Sequence, residues 1–138
     1  MQQTVTINSH PQDAYRRQDV LTANSIDLIV MLYDALKKNV IMGKRAIAKA
    51  DVQDAHIHLM KAQEIVAALI NSLDMNYQIA EELLAIYEFI LRTLEDANIH
   101  KDAEQLAAII GIVDSLREAW KEISASNKGH LNTGVGQA

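Results

Sequence analysis

The sequence predicts an all-α protein: an antiparallel up-down-up-down four-helix bundle with a short N-terminal cap helix. Residues that break helices are scarce, because the single proline is Pro11 and the only glycines between Gln12 and Ser124 are Gly43 and Gly111. Apolar residues also recur at three- and four-residue steps in four successive segments, which is the spacing of one helix face. The 138 residues suffice for one such domain.

The first long helix is predicted to begin at Asn24, a favourable N-cap residue, with Asp27 in its first turn. Its inward positions are Ile29, Leu32, Tyr33, Leu36, Val40, Gly43 and Ile47. Asp51 is predicted to cap the second helix. The inward positions of that helix are Ala55, Leu59, Ala62, Val66, Leu69 and Leu73. Asp74 to Asn76 is predicted to be a short turn.

The third helix is predicted from about Tyr77 to Ala97, with inward positions Ile79, Leu83, Ile86, Ile90 and Leu94. The fourth is predicted from about Lys101 to Ser124, with inward positions Leu106, Ile109, Val113, Leu116, Trp120 and Ile123. Because short loops join helices of similar length, consecutive helices should pack antiparallel.

The two ends of the chain are predicted to differ from the middle. Residues 1–13 are polar and aperiodic, and we expect them to be flexible. Residues 14–124 are predicted to form a single helical bundle with an N-terminal cap segment. Residues 125–138 are small, polar and contain glycine, so we expect a disordered tail.

Composition excludes several classes of function. The net charge of −5 disfavours nonspecific binding to nucleic acid. There is no cysteine, so neither disulfides nor thiolate chemistry are expected. No apolar run approaches the roughly 20 residues that span a bilayer, and the N-terminus lacks the apolar core of a signal peptide. A cytoplasmic protein without stable membrane insertion is therefore expected.

The start of the first long helix is more apolar than a bundle requires. Residues 28–33 read LIVMLY, so no side of the helix is polar over this run. The helical spacing leaves Leu28, Val30 and Met31 outside the inward set. A contiguous exposed apolar surface usually marks an interaction site, and grooves between helices suit an amphipathic partner. The surplus of apolar residues at the start of this helix predicts a protein-binding surface.

Short motifs are spread along most of the chain. They are Tyr15, Leu21–Ala23, Leu28–Asp34, Lys61–Ile65, Ser72–Asp74, Ile86–Phe89, Ala97–Ile99 and Leu116–Lys121. In this order and spacing they resemble the flagellin-specific export chaperones of bacteria. Two departures from the pattern of that family are Asn24–Ser25, where Ser-Pro is common, and Ala35, where Gly is common.

The resemblance implies a cytoplasmic chaperone that binds the disordered C-terminal segment of flagellin. Such a chaperone prevents premature polymerisation and delivers flagellin to the flagellar export gate, with flagellar regulatory proteins as further partners. No cofactor is implied. We expect the partner-binding residues to be Leu28, Met31, Leu32, Ile65 and Leu69. The segment before the first helix would cover part of this surface until flagellin binds, through Tyr15, Val20 and Leu21.

Two alternatives remain open from the residues. His58 and Lys61 share a helix face, as in histidine phosphotransfer bundles, although Ala62 stands where those domains often have Gly. The chain could also be a helical adaptor for another partner. A di-metal bundle would need Glu-x-x-His pairs, and none of the five histidines has Glu three residues before it. Since there is also no phosphate-binding loop or nucleophile elbow, neither a metal site nor an enzyme is expected.

Overall fold

The computed structural model describes the backbone of residues 23–137 and the side chains of residues 25–123 and 125. Within these residues the chain forms four α-helices and no strand. They are α1 (Ala23–Ala48), α2 (Val52–Asn71), α3 (Gln78–His100) and α4 (Ala103–Gln137).

The four helices form a closed ring of neighbours. α1 packs against α2 and α4, and α3 packs against the same two helices. The connections between consecutive helices have two to six residues, so each helix reverses the direction of the one before. α1 and α3 consequently face each other across the core. The predicted four-helix bundle is confirmed.

Two of the predicted helix boundaries have the expected local chemistry. The Asp51 carboxylate accepts a hydrogen bond from the backbone N–H of Asp54 at 3.0 Å, which is the predicted N-cap of α2. In the predicted turn, the Asp74 carboxylate accepts one from the backbone N–H of Asn76 at 3.0 Å. α3 ends later than predicted, at His100, where Lys101 adopts the left-handed conformation that ends many helices.

The core agrees well with the predicted inward face of α2 and less well with that of α3. Every predicted position of α2 from Ala55 to Leu69 is buried. On α3, the predicted inward position Ile79 is wrong, because Ile79 is exposed while its neighbour Ala80 is buried. Ile86 is half-buried and packs against the core, and its neighbour Tyr87 is buried more deeply. The apolar pairs 79–80 and 86–87 allow two faces 100° apart, and sequence periodicity cannot choose between them.

The last helix extends beyond the predicted end of the bundle. The backbone of α4 continues to Gln137, so the predicted helix end near Ser124 is too early. No proline follows Pro11, and the glycines of this segment weaken a helix without ending it. The predicted cap residues Tyr15, Val20 and Leu21 lie outside the described residues, and so does the predicted flexible segment 1–13.

Candidate functional site

The first three turns of α1 present apolar side chains to solvent. Leu28 is 57% exposed and Met31 is 65% exposed, although both lie on a helix whose other face is buried in the core. Leu32, next to Met31, is half-buried and packs against the core. Exposed apolar side chains that adjoin one another are typical of a surface that binds a partner.

A hydrogen bond between α1 and α2 shows which sides of these helices face each other. His58 Nδ1 donates to Asn39 Oδ1 at 3.2 Å. Leu32 lies seven residues before Asn39, and Ile65 lies seven residues after His58, so each sits two turns along the same side of its helix. Because the helices are antiparallel, both steps lead toward the same end of the bundle. Leu32 and Ile65 therefore lie beside each other where α1 meets α2.

We call Leu28, Met31, Leu32 and Ile65 the α1–α2 apolar surface. Four of the five predicted partner-binding residues belong to it. Leu69, the fifth, is only 1% exposed and belongs to the core. Leu69 is also one of the predicted inward positions of α2, and its burial agrees with that prediction, while its role in partner binding stays a prediction.

An apolar cleft lies at the same end of the bundle. It is formed by the start of α1, the end of α2, the start of α3 and Trp120 of α4. Its volume is about 30 Å³, more than the roughly 10–15 Å³ that one water molecule needs. The residues that line it include Ile29, Leu69, Leu73, Tyr77, Leu83 and Tyr87. A side chain of a partner could enter it only if the cleft widens.

Beneath the cleft, two buried tyrosines join α1 to α3 across the core. The hydroxyls of Tyr33 and Tyr87 are 2.6 Å apart, and either can donate to the other. Their rings meet edge to face with centroids 6.4 Å apart. Burial raises the pKa of both hydroxyls. The sequence pattern predicted Tyr33 to face inward but placed Tyr87 outside the core.

Charged residues join α1 to α4. Arg117 donates from Nε and Nη2 to the two carboxylate oxygens of Asp34, with Nη2 3.2 Å away. Lys37 Nζ lies 2.8 Å from Asp114 Oδ1. The hydrogen bond from Arg117 lowers the pKa of Asp34, and the positive charge of Arg117 adds to this. Both residues of the Tyr33–Asp34 pair therefore contact another helix of the bundle: buried Tyr33 contacts α3, and exposed Asp34 contacts α4.

The geometry of His58 does not support the phosphotransfer alternative. Its side chain is only 14% exposed. Nδ1 is hydrogen-bonded to Asn39, and Nε2 lies 3.5 Å from a carboxylate oxygen of Asp54. A phosphoryl group would approach this nitrogen against the negative charge of Asp54.

Other histidines of the described region also have protein partners. Asn98 Nδ2 donates to His56 Nδ1 at 3.0 Å, and this contact links α3 to α2. Nowhere in the described part of the chain do three or more His, Asp or Glu side chains cluster as a metal site would require. In the same part of the chain, no helix is both long enough and apolar enough to cross a bilayer.

Comparison with known proteins decides the family. The family model described as flagellar protein FliS matches residues 8–127. The chain belongs to the FliS family. The flagellar secretion chaperone FliS of Bacillus subtilis is 33% identical over 119 residues, which cover 86% of this chain and 90% of the relative. The proteins of the same name from Salmonella typhimurium and Campylobacter jejuni are 31% identical over 108 residues and 25% identical over 118 residues. These alignments cover 76% and 84% of this chain, and 80% and 92% of the relatives.

The FliS match confirms the resemblance inferred from the motifs. It includes the whole α1–α2 apolar surface and also the predicted cover residues Tyr15, Val20 and Leu21. The matched relatives are named as chaperones.

Proposed function

We propose that this chain is a cytoplasmic flagellar secretion chaperone that binds the disordered C-terminal segment of flagellin and prevents its premature polymerisation. Membership of the FliS family supports this function, and so do the matched relatives, which are flagellar secretion chaperones. The observation that carries the assignment to a surface is the exposure of Leu28 and Met31 beside half-buried Leu32 and Ile65.

The energetics indicate that flagellin must contact more than these side chains. A disordered segment that folds on binding loses roughly 2–5 kcal/mol or more in becoming ordered. Complete burial of an exposed Leu or Met contributes about 1.5–3 kcal/mol. Since Leu28 and Met31 are already partly covered, together they contribute about 2–4 kcal/mol, which only balances the ordering cost. The bound segment should therefore extend along α1 and α2 over Leu32 and Ile65.

A substitution at Met31 tests the surface without disturbing the core. Met31→Asp places a charge where flagellin would bury an apolar side chain, so we expect at least tenfold weaker binding to flagellin in calorimetric titration. Val52→Asp is the matched control, because Val52 is 60% exposed and lies at the opposite end of the bundle. Equal affinities of the two folded variants would remove the assignment to this surface.

A substitution at Leu69 tests whether this residue stabilises the core or binds the partner. Because Leu69 is buried, Leu69→Ala should cost about 2–5 kcal/mol of folding stability. Where the variant remains folded, we expect its affinity for flagellin to stay within about twofold of the wild type. A large loss of affinity in a well-folded Leu69→Ala variant would restore Leu69 to the binding surface.

The cover residues and the export gate form the rest of the proposal. If Tyr15, Val20 and Leu21 compete with flagellin for the α1–α2 apolar surface, a triple alanine variant should bind flagellin more tightly and associate faster. Delivery requires that the loaded chaperone bind the flagellar export gate, and flagellar regulatory proteins are proposed as further partners. Recovery of the chain from flagellated cells without flagellin would instead favour an adaptor for another partner.

A further inference from the structure

Formal charge is distributed unequally over the bundle. The α1 helix carries two acidic and four basic residues, a net charge of +2, and its cations are Lys37, Lys38, Lys44 and Arg45. The α3 helix carries five acidic residues and one arginine, a net charge of −4. Since α1 and α3 are opposite each other across the core, the bundle has a basic side and an acidic side.

Two of the cations on α1 are available to a partner. Lys37 is paired with Asp114. Lys38 and Arg45 are exposed, and no carboxylate of the described side chains lies within salt-bridge distance of either. They are seven residues apart, so they project from the same side of α1 about 10 Å apart along its axis.

Apolar side chains lie between these cations. Ile41 and Met42 are half-buried and occupy the positions three and four residues after Lys38. Together with Asp34, Lys37 and the two exposed cations, they line a shallow concave surface. We call Lys38, Ile41, Met42 and Arg45 the basic–apolar face. A cation, two apolar side chains and a second cation thus follow one another along two turns of the helix, and Met42 is flexible enough to fit partners of different shape.

We propose that the basic–apolar face of α1 docks an acidic amphipathic helix from a partner protein. Carboxylates two turns apart on that helix would pair with Lys38 and Arg45, and apolar side chains between them would pack on Ile41 and Met42. The face lies in the C-terminal half of α1 and begins at Lys38, about 10 Å from Met31 along the axis by the helical rise. Its occupant would therefore lie next to a ligand of the α1–α2 apolar surface.

The same observations disfavour other occupants. The net charge of −5 acts against every anionic partner, but the phosphate groups of nucleic acid and of membrane headgroups make no use of Ile41 and Met42, whereas an amphipathic helix does. A second copy could offer its acidic α3, but α1 against α3 is a head-to-tail contact that generates open chains of subunits unless the ring closes.

Synthetic peptides of 18 residues test this proposal with the full-length protein. One peptide carries Glu and Leu on one helix face, and its control carries Gln in place of every Glu. We expect the Glu peptide to bind the wild type at least tenfold more tightly than the Gln peptide, with an affinity that falls as salt rises. Binding that does not depend on Glu would overturn the proposal.

Charge-reversal variants locate the binding. Lys38→Glu with Arg45→Glu should weaken binding of the Glu peptide at least tenfold. The control is Lys61→Glu with Arg92→Glu, which changes the net charge equally at exposed positions of α2 and α3 and should weaken binding less than threefold. Equal losses in both variants would show an effect of net charge alone and contradict a local site.

Two further measurements test the apolar part of the face and the alternative occupants. Met42→Gln should weaken binding at least threefold, because the proposed partner is amphipathic; unchanged affinity contradicts that part of the proposal. The wild type should bind neither vesicles with anionic headgroups nor duplex DNA as tightly as the Glu peptide, and it should not self-associate through this face. Tighter binding to vesicles or DNA, or self-association that Lys38→Glu with Arg45→Glu abolishes, would overturn the assignment to an acidic protein segment.

Discussion

The contact between Gly43 and Leu59 allows a sharp test of the packing of α1 on α2. Gly43 is buried, and a Cβ atom built on it would lie 2.7 Å from Leu59 Cδ2 and 2.9 Å from Leu59 Cγ. Leu59 is fully buried, so its side chain has little room to move away. Gly111, the other glycine of the central region, is exposed, and a Cβ there meets nothing within 4 Å.

The same substitution should therefore have opposite effects at the two glycines. Alanine in place of glycine inside a helix gains about 1 kcal/mol from helix propensity. At Gly43 the added methyl group overpacks the core, which typically costs about 1–3 kcal/mol. We expect Gly111→Ala to stabilise the protein by about 0.5–1 kcal/mol. Gly43→Ala should be less stable than Gly111→Ala by about 1–3 kcal/mol.

Urea unfolding followed by circular dichroism measures this difference. A double-mutant cycle with Leu59→Ala shows its origin, because removing the Leu59 side chain removes the clash. In the Leu59→Ala background, Gly43→Ala should become stabilising, although Leu59→Ala itself should cost about 2–5 kcal/mol. The reasoning is refuted if Gly43→Ala stabilises the wild type as much as Gly111→Ala does, or if the cycle shows no coupling between residues 43 and 59.

Three further predictions concern the polar contacts. Either Tyr33→Phe or Tyr87→Phe leaves one buried hydroxyl without its partner and should cost about 1–3 kcal/mol of folding stability. The double Phe variant leaves no such hydroxyl, so it should lose less than the sum of the two single losses. Additive losses in chemical unfolding would contradict the hydrogen bond. Arg117 lowers the pKa of Asp34, so the ion pair stabilises the folded protein above pH 3.8, the pKa of the unfolded carboxyl group. This contribution to folding stability is lost as the pH falls through the lower pKa of the folded state. Asp34→Asn should therefore show a flatter dependence of stability on pH below about 4 than the wild type, and identical pH profiles would refute this. Asp51→Ala should cost about 1 kcal/mol of folding stability, because it removes the N-cap of α2. Asp51→Asn should lose much less, since asparagine also caps helices. Equal losses in the two variants would contradict the capping role.

The fold was predictable because its main determinants are local. A single narrow row of apolar residues defines the inner face of α2, and Asp51 provides a recognisable cap, so both predictions are confirmed. On α3 the adjacent apolar pairs allow two faces, and only tertiary packing decides between Ile86 and Tyr87. Likewise, no local signal shows that Tyr33 and Tyr87 meet, because they are separated by 54 positions in the sequence.

The candidate site was predictable in part. The surplus of apolar residues at the start of α1 correctly indicated that Leu28 and Met31 lie outside the core. Leu69 fitted both the inward row of α2 and the neighbourhood of Ile65, and helical spacing alone could not separate these roles. The polar contacts of His58 with Asn39 and Asp54 depend on how α1 and α2 meet, and so they could be found only in the structure.

Calorimetric titration of the wild-type chain with full-length flagellin and with flagellin lacking its C-terminal segment tests the central claim most directly. If the α1–α2 apolar surface binds that segment, full-length flagellin should bind and the truncated form should bind at least a hundredfold more weakly, a difference of about 2.7 kcal/mol. Equal affinity for the two forms would contradict the proposed function.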